Sequence, residues 1–189
     1  MAIDDATKRL SALITNILKL NKLENQQIFP EYKMIDLSEL VCECMLEFEN
    51  EWEKKNIEIE TDIDDDIMIN ADPKLLSIIW NNLFSNAIKF TDEGGTVSVA
   101  VKSINGGVAV SVSDTGCGID SETGRHIFDK FYQGDTSHAS KGNGLGLALV
   151  KRIIDIIGGE ITVSSELGKG STFTVILHNE NGGNDDERG

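Results

Sequence analysis

The 189-residue sequence is poor in basic charge, in paired cysteines and in long apolar runs. Its 17 lysines and arginines stand against 32 acidic residues, and this formal net charge of −15 excludes the basic surface of a nucleic-acid binder. The three cysteines contain no Cys-x-x-Cys pair, so neither a disulfide framework nor a zinc site is indicated. No signal peptide or bilayer-spanning run is found, and we expect a soluble, cytoplasmic portion, whether or not a longer parent protein is membrane-anchored. The length allows one α/β domain with a smaller appendage.

The first informative stretch is residues 107–119, where an alternating Val-rich run ends at Asp114. The alternation predicts a half-buried strand, and the loop that follows it contains Gly116 and Gly118. Glycine allows a ligand to approach the main chain closely and permits a positive φ. The segment therefore predicts either an ordinary turn or a pocket in which a carboxylate and the backbone meet a ligand.

A second stretch, residues 72–91, predicts a helix that begins at the N-cap Asp72 followed by a proline. Asn82, Asn86 and Lys89 are spaced by four and three residues, so they lie on one helical face beside Phe90. Amide oxygens suit a hard cation and an ammonium suits phosphate oxygens. The alternative is a polar, solvated face.

A third stretch, residues 141–158, is a glycine-rich loop that leads into an amphipathic helix ending at Gly158. Unpaired N–H groups at a helix N-terminus behind glycines favour an anion such as a phosphate chain. The spacing of Gly142, Gly144 and Gly146 matches neither the Rossmann fingerprint nor the phosphate loop that ends in Gly-Lys-Ser/Thr.

Residues 3–20 predict a helix that needs a partner. Apolar residues recur there at alternating three and four spacing, in a stretch without Gly or Pro. We favour one helix of a bundle over a helix packed on its own domain. The stripe comprises Ile3, Ala6, Leu10, Leu13, Ile17 and Leu20, broadened by Ile14 and Leu18.

The rest of the chain predicts short elements. A capping box, Asp36 to Glu39, opens a predicted helix that runs to about residue 55. Strands are predicted near residues 32–35, 56–62, 67–70, 95–103, 160–165 and 171–178, and a short helix near 122–131. Residues 179–189 are rich in Gly, Asn and acid and are predicted to be disordered.

In this order the motifs resemble the histidine-kinase ATP-binding domain. The resemblance covers roughly residues 30–178 and implies a two-layer α/β sandwich, a mixed sheet covered by helices on one face, preceded by one long bundle helix. The matching motifs are an N box (Asn82, Asn86, Lys89, Phe90), a first glycine box (114–118), an F box (127–132), a second glycine box (142–147) and a final strand entered through residues 168–173.

The resemblance implies roles for individual residues. Asp114 would accept the adenine amino group, and Asn86 would bind Mg²⁺ with Asn82 alongside. Lys89 and Lys141 would neutralise phosphate charge, and these two with Asn82 are the expected catalytic residues. The remaining expected ATP-binding residues are Phe90, Gly116, Gly118, Ile119, Phe131, Gly142, Gly144, Leu145, Gly146, Leu147 and Ser171 or Thr172.

It also implies an activity and partners: transfer of the ATP γ-phosphoryl to a histidine on a dimerisation helix, then to an aspartate of a response regulator receiver domain. His126, His138 and His178 lack the family's phosphoacceptor context, so that helix is expected to belong elsewhere in the protein or to the dimer mate. The expected division is residues 1–27 as the second hairpin helix, 28–178 as the ATP-binding domain and 179–189 as the tail, with a homodimer formed through residues 3–24.

Three other functions are alternatives. An ATPase related to gyrase, Hsp90 and MutL would need a glutamate base where this chain has Asn82, and an amide cannot act as a base. A serine kinase of the anti-sigma type would lack the apolar-striped helix predicted at residues 3–20. A nucleotide-sensing module without efficient transfer is favoured by Gln133, which stands where many family members carry an arginine.

Overall fold

The computed structural model describes residues 2–25, 29–133 and 144–178. A five-stranded mixed sheet in the order β2-β4-β5-β7-β6 organises these residues. β2 (Glu58–Ile63) pairs parallel with β4 (Thr96–Ile104), whereas β5 (Gly107–Asp114), β7 (Gly170–His178) and β6 (Glu160–Glu166) pair antiparallel. The two-residue loop between Ile104 and Gly107 is the tight hairpin that the sequence predicts.

Helices cover one face of this sheet. Alternate residues of β4, β5 and β7 are buried on that face, and the opposite face carries mostly small side chains, such as Ser98, Ser111 and Thr174. α4 (Pro73–Phe90) and α6 (Gly146–Ile157) supply much of the core, including the fully buried Trp80, Phe84 and Ile153. The predicted two-layer α/β fold is thus confirmed.

The N-terminus of α4 is fixed as its sequence predicts. The Asp72 carboxylate accepts hydrogen bonds from the backbone N–H groups of Lys74 (2.9 Å) and Leu75 (3.3 Å), and its second oxygen accepts one from Glu31 (2.8 Å). Because these bonds satisfy N–H groups that the helix cannot satisfy itself, they set where α4 begins.

The prediction of one helix up to residue 55 is wrong. α2 (Leu37–Leu46) ends, and α3 (Glu49–Lys54) starts after Phe48, whose side chain packs against the core. Two of the predicted short strands, β1 (Lys33–Asp36) and β3 (Met68–Ala71), pair with each other in a separate antiparallel sheet. The predicted helix at 122–131 is shorter, as α5 (Ser121–His126).

α1 (Ala2–Asn25) packs on α6. Leu20 and Leu23 are buried in the core of the domain, and the Arg152 side chain of α6 donates a hydrogen bond to the Leu23 carbonyl (3.1 Å). Ile14 and Leu18, on the other side of α1, stay exposed. The C-terminal end of α1 therefore packs on its own domain, which was the alternative to a bundle helix. The apolar strip at Ile14, Ile17 and Leu18 stays exposed. Among the described residues, no helix has the length and apolar character needed to cross a membrane.

Candidate functional site

The site is built around Asp114, the last residue of β5. Its register partner on β7 is Ser171, so the two side chains lie on the same sheet face. The Asp114 carboxylate accepts hydrogen bonds from the backbone N–H groups of Gly116 (2.9 Å) and Ser171. Burial raises the pKa of the Asp114 carboxyl above its ordinary value, and the two backbone donors oppose that rise. A half-buried carboxylate held by backbone donors is a rigid hydrogen-bond acceptor.

Ser165 of β6 is hydrogen-bonded to the residues around this carboxylate. Its hydroxyl accepts a hydrogen bond from the Ile119 N–H (2.8 Å) and donates one to the Gly170 carbonyl (2.8 Å). A serine hydroxyl has a single proton, so the 2.9 Å contact between the Ser165 and Ser171 hydroxyls has Ser171 as the donor. Ser165 therefore fixes both Ile119 and Ser171 around the site.

The sequence predictions missed Ser165, although a signal for it exists. In β6 the half-buried positions alternate with exposed ones, and Ser165 follows Ile161 and Val163 on the inward side. A serine that continues an apolar alternation is a buried polar group that needs a partner.

Ser171 and Thr172 were alternatives in the prediction, and the structure separates them. Ser171 is buried next to Asp114. Thr172 lies on the opposite face of the sheet, where its hydroxyl is hydrogen-bonded to that of Ser113 (2.8 Å). Successive residues of a strand point to opposite faces, so only one of the pair can reach the site. The assignment of Thr172 to the site is not supported by this geometry.

The loop after β5 packs directly on the end of α4. A Cβ placed on Gly116 would overlap the Phe90 carbonyl, so only glycine fits there. Gly118, with φ +69°, lies against the Glu166 carbonyl. The predicted glycines thus bring the Asp114 loop against α4 at Phe90.

The predicted polar face of α4 borders the same region. The Asn82 amide donates to the Ile78 carbonyl of its own helix (2.7 Å), while its oxygen lies beside Gly146, where an added Cβ would come within 2.7 Å of it. Asn86 is half-buried, and its side chain makes no hydrogen bond to another described residue. Amide oxygens of Asn82 and Asn86 are therefore on the face that the sequence predicts.

Lys89 occupies the last turn of that face. Its ammonium lies 4.4 Å from the centroid of the Phe90 ring, and burial lowers the pKa of the ammonium. Within the described parts of the chain it has no carboxylate partner. A partly desolvated cation of this kind is suited to an anionic ligand.

The N-terminus of α6 faces this region through Gly146. Leu145, the N-cap, is fully buried and offers no capping oxygen, and the first turn has no acidic residue. Leu147 is half-buried against the core. The first N–H groups of this 12-residue helix therefore favour an anion, as the sequence predicts.

The F box joins the second glycine box through a backbone hydrogen bond from the Phe131 N–H to the Gly144 carbonyl (2.9 Å). Phe131 has a positive φ of 62° and a side chain that is 61% exposed, and Gly144 also has a positive φ. A bulky residue in this conformation is strained, and such residues cluster at functional sites. Lys141 and Gly142, like His138, lie outside the described residues.

The two described histidines have partners on the surface. His126 Nδ1 is 2.7 Å from an Asp129 carboxylate oxygen, and its ring lies 5.4 Å from that of Tyr132. His178 Nε2 is 3.2 Å from a Glu160 oxygen. Both side chains are about half exposed, and each has a carboxylate partner.

Residues 71–181 match the family described as histidine kinase-, DNA gyrase B- and HSP90-like ATPase. Among curated relatives, the circadian input-output histidine kinase CikA of Synechococcus elongatus is 37% identical over 93% of this chain and 24% of its own length. The sensor histidine kinase RppB of Synechocystis is 35% identical over 90% of this chain and 38% of its own length. This chain thus spans less than half the length of these relatives.

Solved structures agree with this match. Full-length ShkA in complex with AMPPNP is 31% identical, with a TM-score of 0.82 over 94% of this chain and 38% of that one. The histidine kinase ThkA in complex with the response regulator TrrA is 27% identical, with a TM-score of 0.78 over 94% of this chain and 49% of that one.

Proposed function

The chain belongs to the family of histidine kinase-, DNA gyrase B- and HSP90-like ATPases, as a histidine-kinase ATP-binding catalytic domain, and we propose how its residues serve that activity. In the whole protein, this domain transfers the ATP γ-phosphoryl to a histidine on a dimerisation helix. The phosphoryl group then passes to an aspartate of a response regulator receiver domain. The observation that carries the proposal is the half-buried Asp114 carboxylate, held by backbone donors beside a polar helix face.

Asp114 recognises the base. An ionised carboxylate only accepts hydrogen bonds, and the adenine amino group donates them, whereas guanine presents a carbonyl at the same position. Ser171 and Ser165 hold the surroundings of Asp114 in place, and Ile119 and Phe90 pack at the edge of the base. With GTP, the Asp114 carboxylate would face the guanine carbonyl and would be left without a donor, and this difference gives specificity for ATP.

The triphosphate lies between α4 and the second glycine box. Lys89, together with Lys141, neutralises phosphate charge, and the N–H groups behind Gly142, Gly144 and Gly146 hold the phosphate oxygens. Phe131 and Leu147 border this region from the two flanking segments.

Mg²⁺ fits the amide oxygens of α4. Asn86 would hold the ion, with Asn82 alongside, because magnesium takes hard oxygen ligands and retains water and phosphate oxygens as its other ligands. When bound, it supplies neutralisation of phosphate charge. The half-buried Asn86 side chain, without another described partner, is the observation that fits this role.

Phosphoryl transfer, and not steady hydrolysis, follows from Asn82. An amide cannot take a proton from water, so the position gives no general base for hydrolysis. The test is to join the chain to a dimerisation hairpin with a phosphoacceptor histidine and to supply γ-labelled ATP. Acid-labile label on the hairpin is expected, and none on a hairpin in which that histidine is replaced by alanine.

A second candidate is a nucleotide-binding module without efficient transfer, and Gln133 favours it. An amide lacks the charge that arginine gives to a transferring phosphoryl group. The same labelling experiment separates the two candidates. Tight ATP binding without label supports the module, and Gln133→Arg should then raise the labelling rate.

The proposed partners are a second copy of the protein and the cytoplasmic receiver domain. Homodimerisation is proposed through residues 3–24, and Ile14, Ile17 and Leu18 provide exposed apolar area on α1 for that contact. We place the domain in the cytoplasm because both ATP and the receiver domain are available there.

A further inference from the structure

Lys55 holds the C-terminal end of α4, although it belongs to none of the sequence motifs. It is the C-cap residue that follows α3, and its ammonium donates hydrogen bonds to three backbone carbonyls. The acceptors are the carbonyls of Ile88 (2.8 Å), Lys89 (3.0 Å) and Thr91 (2.7 Å). An ammonium has three N–H bonds, so all of its donors are engaged at one place.

These carbonyls belong to the C-terminal end of α4. The last four carbonyls of a helix have no partner within the helix and carry the negative end of its dipole. A cation there both satisfies the carbonyls and compensates the dipole. Lys55 thus determines how the chain leaves α4, immediately after Asn86, Lys89 and Phe90.

The first glycine box rests on the peptide that Lys55 holds. The Phe90 carbonyl lies between the bonded carbonyls of Lys89 and Thr91 and contacts the Cα of Gly116 so closely that a Cβ there would overlap it. Gly116 in turn donates its N–H to the Asp114 carboxylate. A continuous path of contacts therefore joins the Lys55 ammonium to Asp114.

The backbone of Lys55 is fixed as well. Its carbonyl accepts a hydrogen bond from the Gly94 N–H (2.9 Å), and the neighbouring Asn56 amide donates to Glu93 (3.1 Å). The loop after α4 is thus joined to the end of α3 by one backbone hydrogen bond and one side-chain hydrogen bond. The ammonium is consequently held in place and is not a freely rotating surface group.

We infer that Lys55 is a positioning residue for nucleotide binding, which holds Lys89 on the phosphate side and Asp114 on the base side at the separation that one ATP molecule requires. It acts through the α4 terminus and does not touch the nucleotide. This inference rests on the proposed function, because it assigns Lys89 and Asp114 to the two ends of the same ligand.

Lys55→Met tests the inference because methionine keeps an unbranched side chain and removes the three donors. Calorimetry with Mg-ATP on the full 189-residue chain should show about a tenfold weaker affinity, at a temperature where circular dichroism shows the variant to be folded. Lys54→Met, a change at an exposed lysine one residue earlier, is the control and should bind as the unsubstituted chain does.

A double-mutant cycle separates positioning from a merely stabilising role. If Lys55 acts through Lys89, then Lys55→Met should weaken ATP binding much less in a Lys89→Ala background than alone. Equal losses in both backgrounds, or an unchanged affinity of the folded Lys55→Met variant, would overturn the inference.

Lys55→Arg covers the case in which Lys55→Met does not fold. Arginine keeps the charge but spreads its donors over a planar fork, so it cannot direct three N–H bonds from one nitrogen. We expect an affinity loss that Lys89→Ala again reduces, and wild-type affinity would contradict the inference. Failure of the unsubstituted chain to bind ATP would contradict the proposed function itself, which distinguishes the two failures.

Discussion

Ser165→Ala tests the part of the site that the sequence did not reveal. The change removes one hydroxyl and leaves three groups without their partner: the Ile119 N–H, the Gly170 carbonyl and the Ser171 hydroxyl. An unsatisfied buried group costs roughly 1–3 kcal/mol, and water can reach part of this half-buried cluster. We therefore expect a loss of about 1–3 kcal/mol in the free energy of unfolding.

Urea unfolding of the full chain measures this loss directly. Its midpoint should fall while the denaturant slope is unchanged, since the change removes hydrogen bonds and does not alter the surface exposed on unfolding. Ser164→Ala is a matched control because Ser164 is the neighbouring residue of β6 and points to the exposed face. It should stay within about 0.5 kcal/mol of the unsubstituted chain.

The same variant should weaken ATP binding, because Ser165 positions Ile119 and Ser171 around Asp114. Equal stability of Ser165→Ala and Ser164→Ala would refute the hydrogen-bond cluster as described. A destabilised Ser165→Ala that bound ATP with unchanged affinity when folded would instead show that the cluster stabilises the sheet without shaping the site.

Three further predictions concern α4 and α1. Burial lowers the pKa of the Lys89 ammonium in the folded chain. At a pH between this lowered pKa and the pKa of Lys89 in the unfolded chain, the unfolded state binds more protons than the folded state. The free energy of unfolding should therefore rise with pH in that window. Urea unfolding at alkaline pH should show this rise for the unsubstituted chain relative to Lys89→Met, and a parallel pH dependence would contradict it. Asn86→Ala should weaken ATP binding by calorimetry mainly in the presence of Mg²⁺, and an equal loss in EDTA would make Asn86 structural. A chain that begins at residue 28 should be monomeric by light scattering and should still bind ATP. It should be less stable than the full chain because it lacks Leu20 and Leu23 of the core. A 189-residue chain that is monomeric at tens of micromolar would contradict dimerisation through α1.

The sequence was sufficient wherever a local pattern determined the structure. The N-cap Asp72, the loop at residues 105–106 and the alternation that leads to Asp114 all depend on neighbours within a few residues, and the structure has each of them. The resemblance to a known family supplied the fold, because four motifs in order specify it more strongly than any single one.

Long-range contacts were the part that local patterns could not determine. The helix predicted up to residue 55 is interrupted between Leu46 and Glu49, where the Phe48 side chain packs against the core, a contact that no local preference of residues 36–55 reveals. Thr172 was a plausible neighbour of Asp114 until the β5–β7 register assigned that place to Ser171. In the sequence, nothing distinguishes Lys55 from an ordinary surface lysine, because the carbonyls that it binds are more than 30 residues away.

The apolar spacing of α1 was informative but incomplete. Its apolar residues follow one spacing rule, yet Leu20 and Leu23 are buried against the domain while Ile14 and Leu18 remain exposed. A broad apolar stripe can serve two partners at once, and periodicity alone cannot divide its residues between them.

Calorimetric binding of ATP and GTP to the unsubstituted chain and to Asp114→Asn tests the role of Asp114 directly. We expect the unsubstituted chain to bind ATP and to discriminate against GTP. Asp114→Asn should lose about ten- to a hundredfold in ATP affinity, the value of a charged hydrogen bond. Ser113→Ala, one residue earlier on the opposite sheet face, should leave the affinity unchanged. Unaltered ATP affinity in Asp114→Asn would contradict the assignment of this carboxylate to the adenine base.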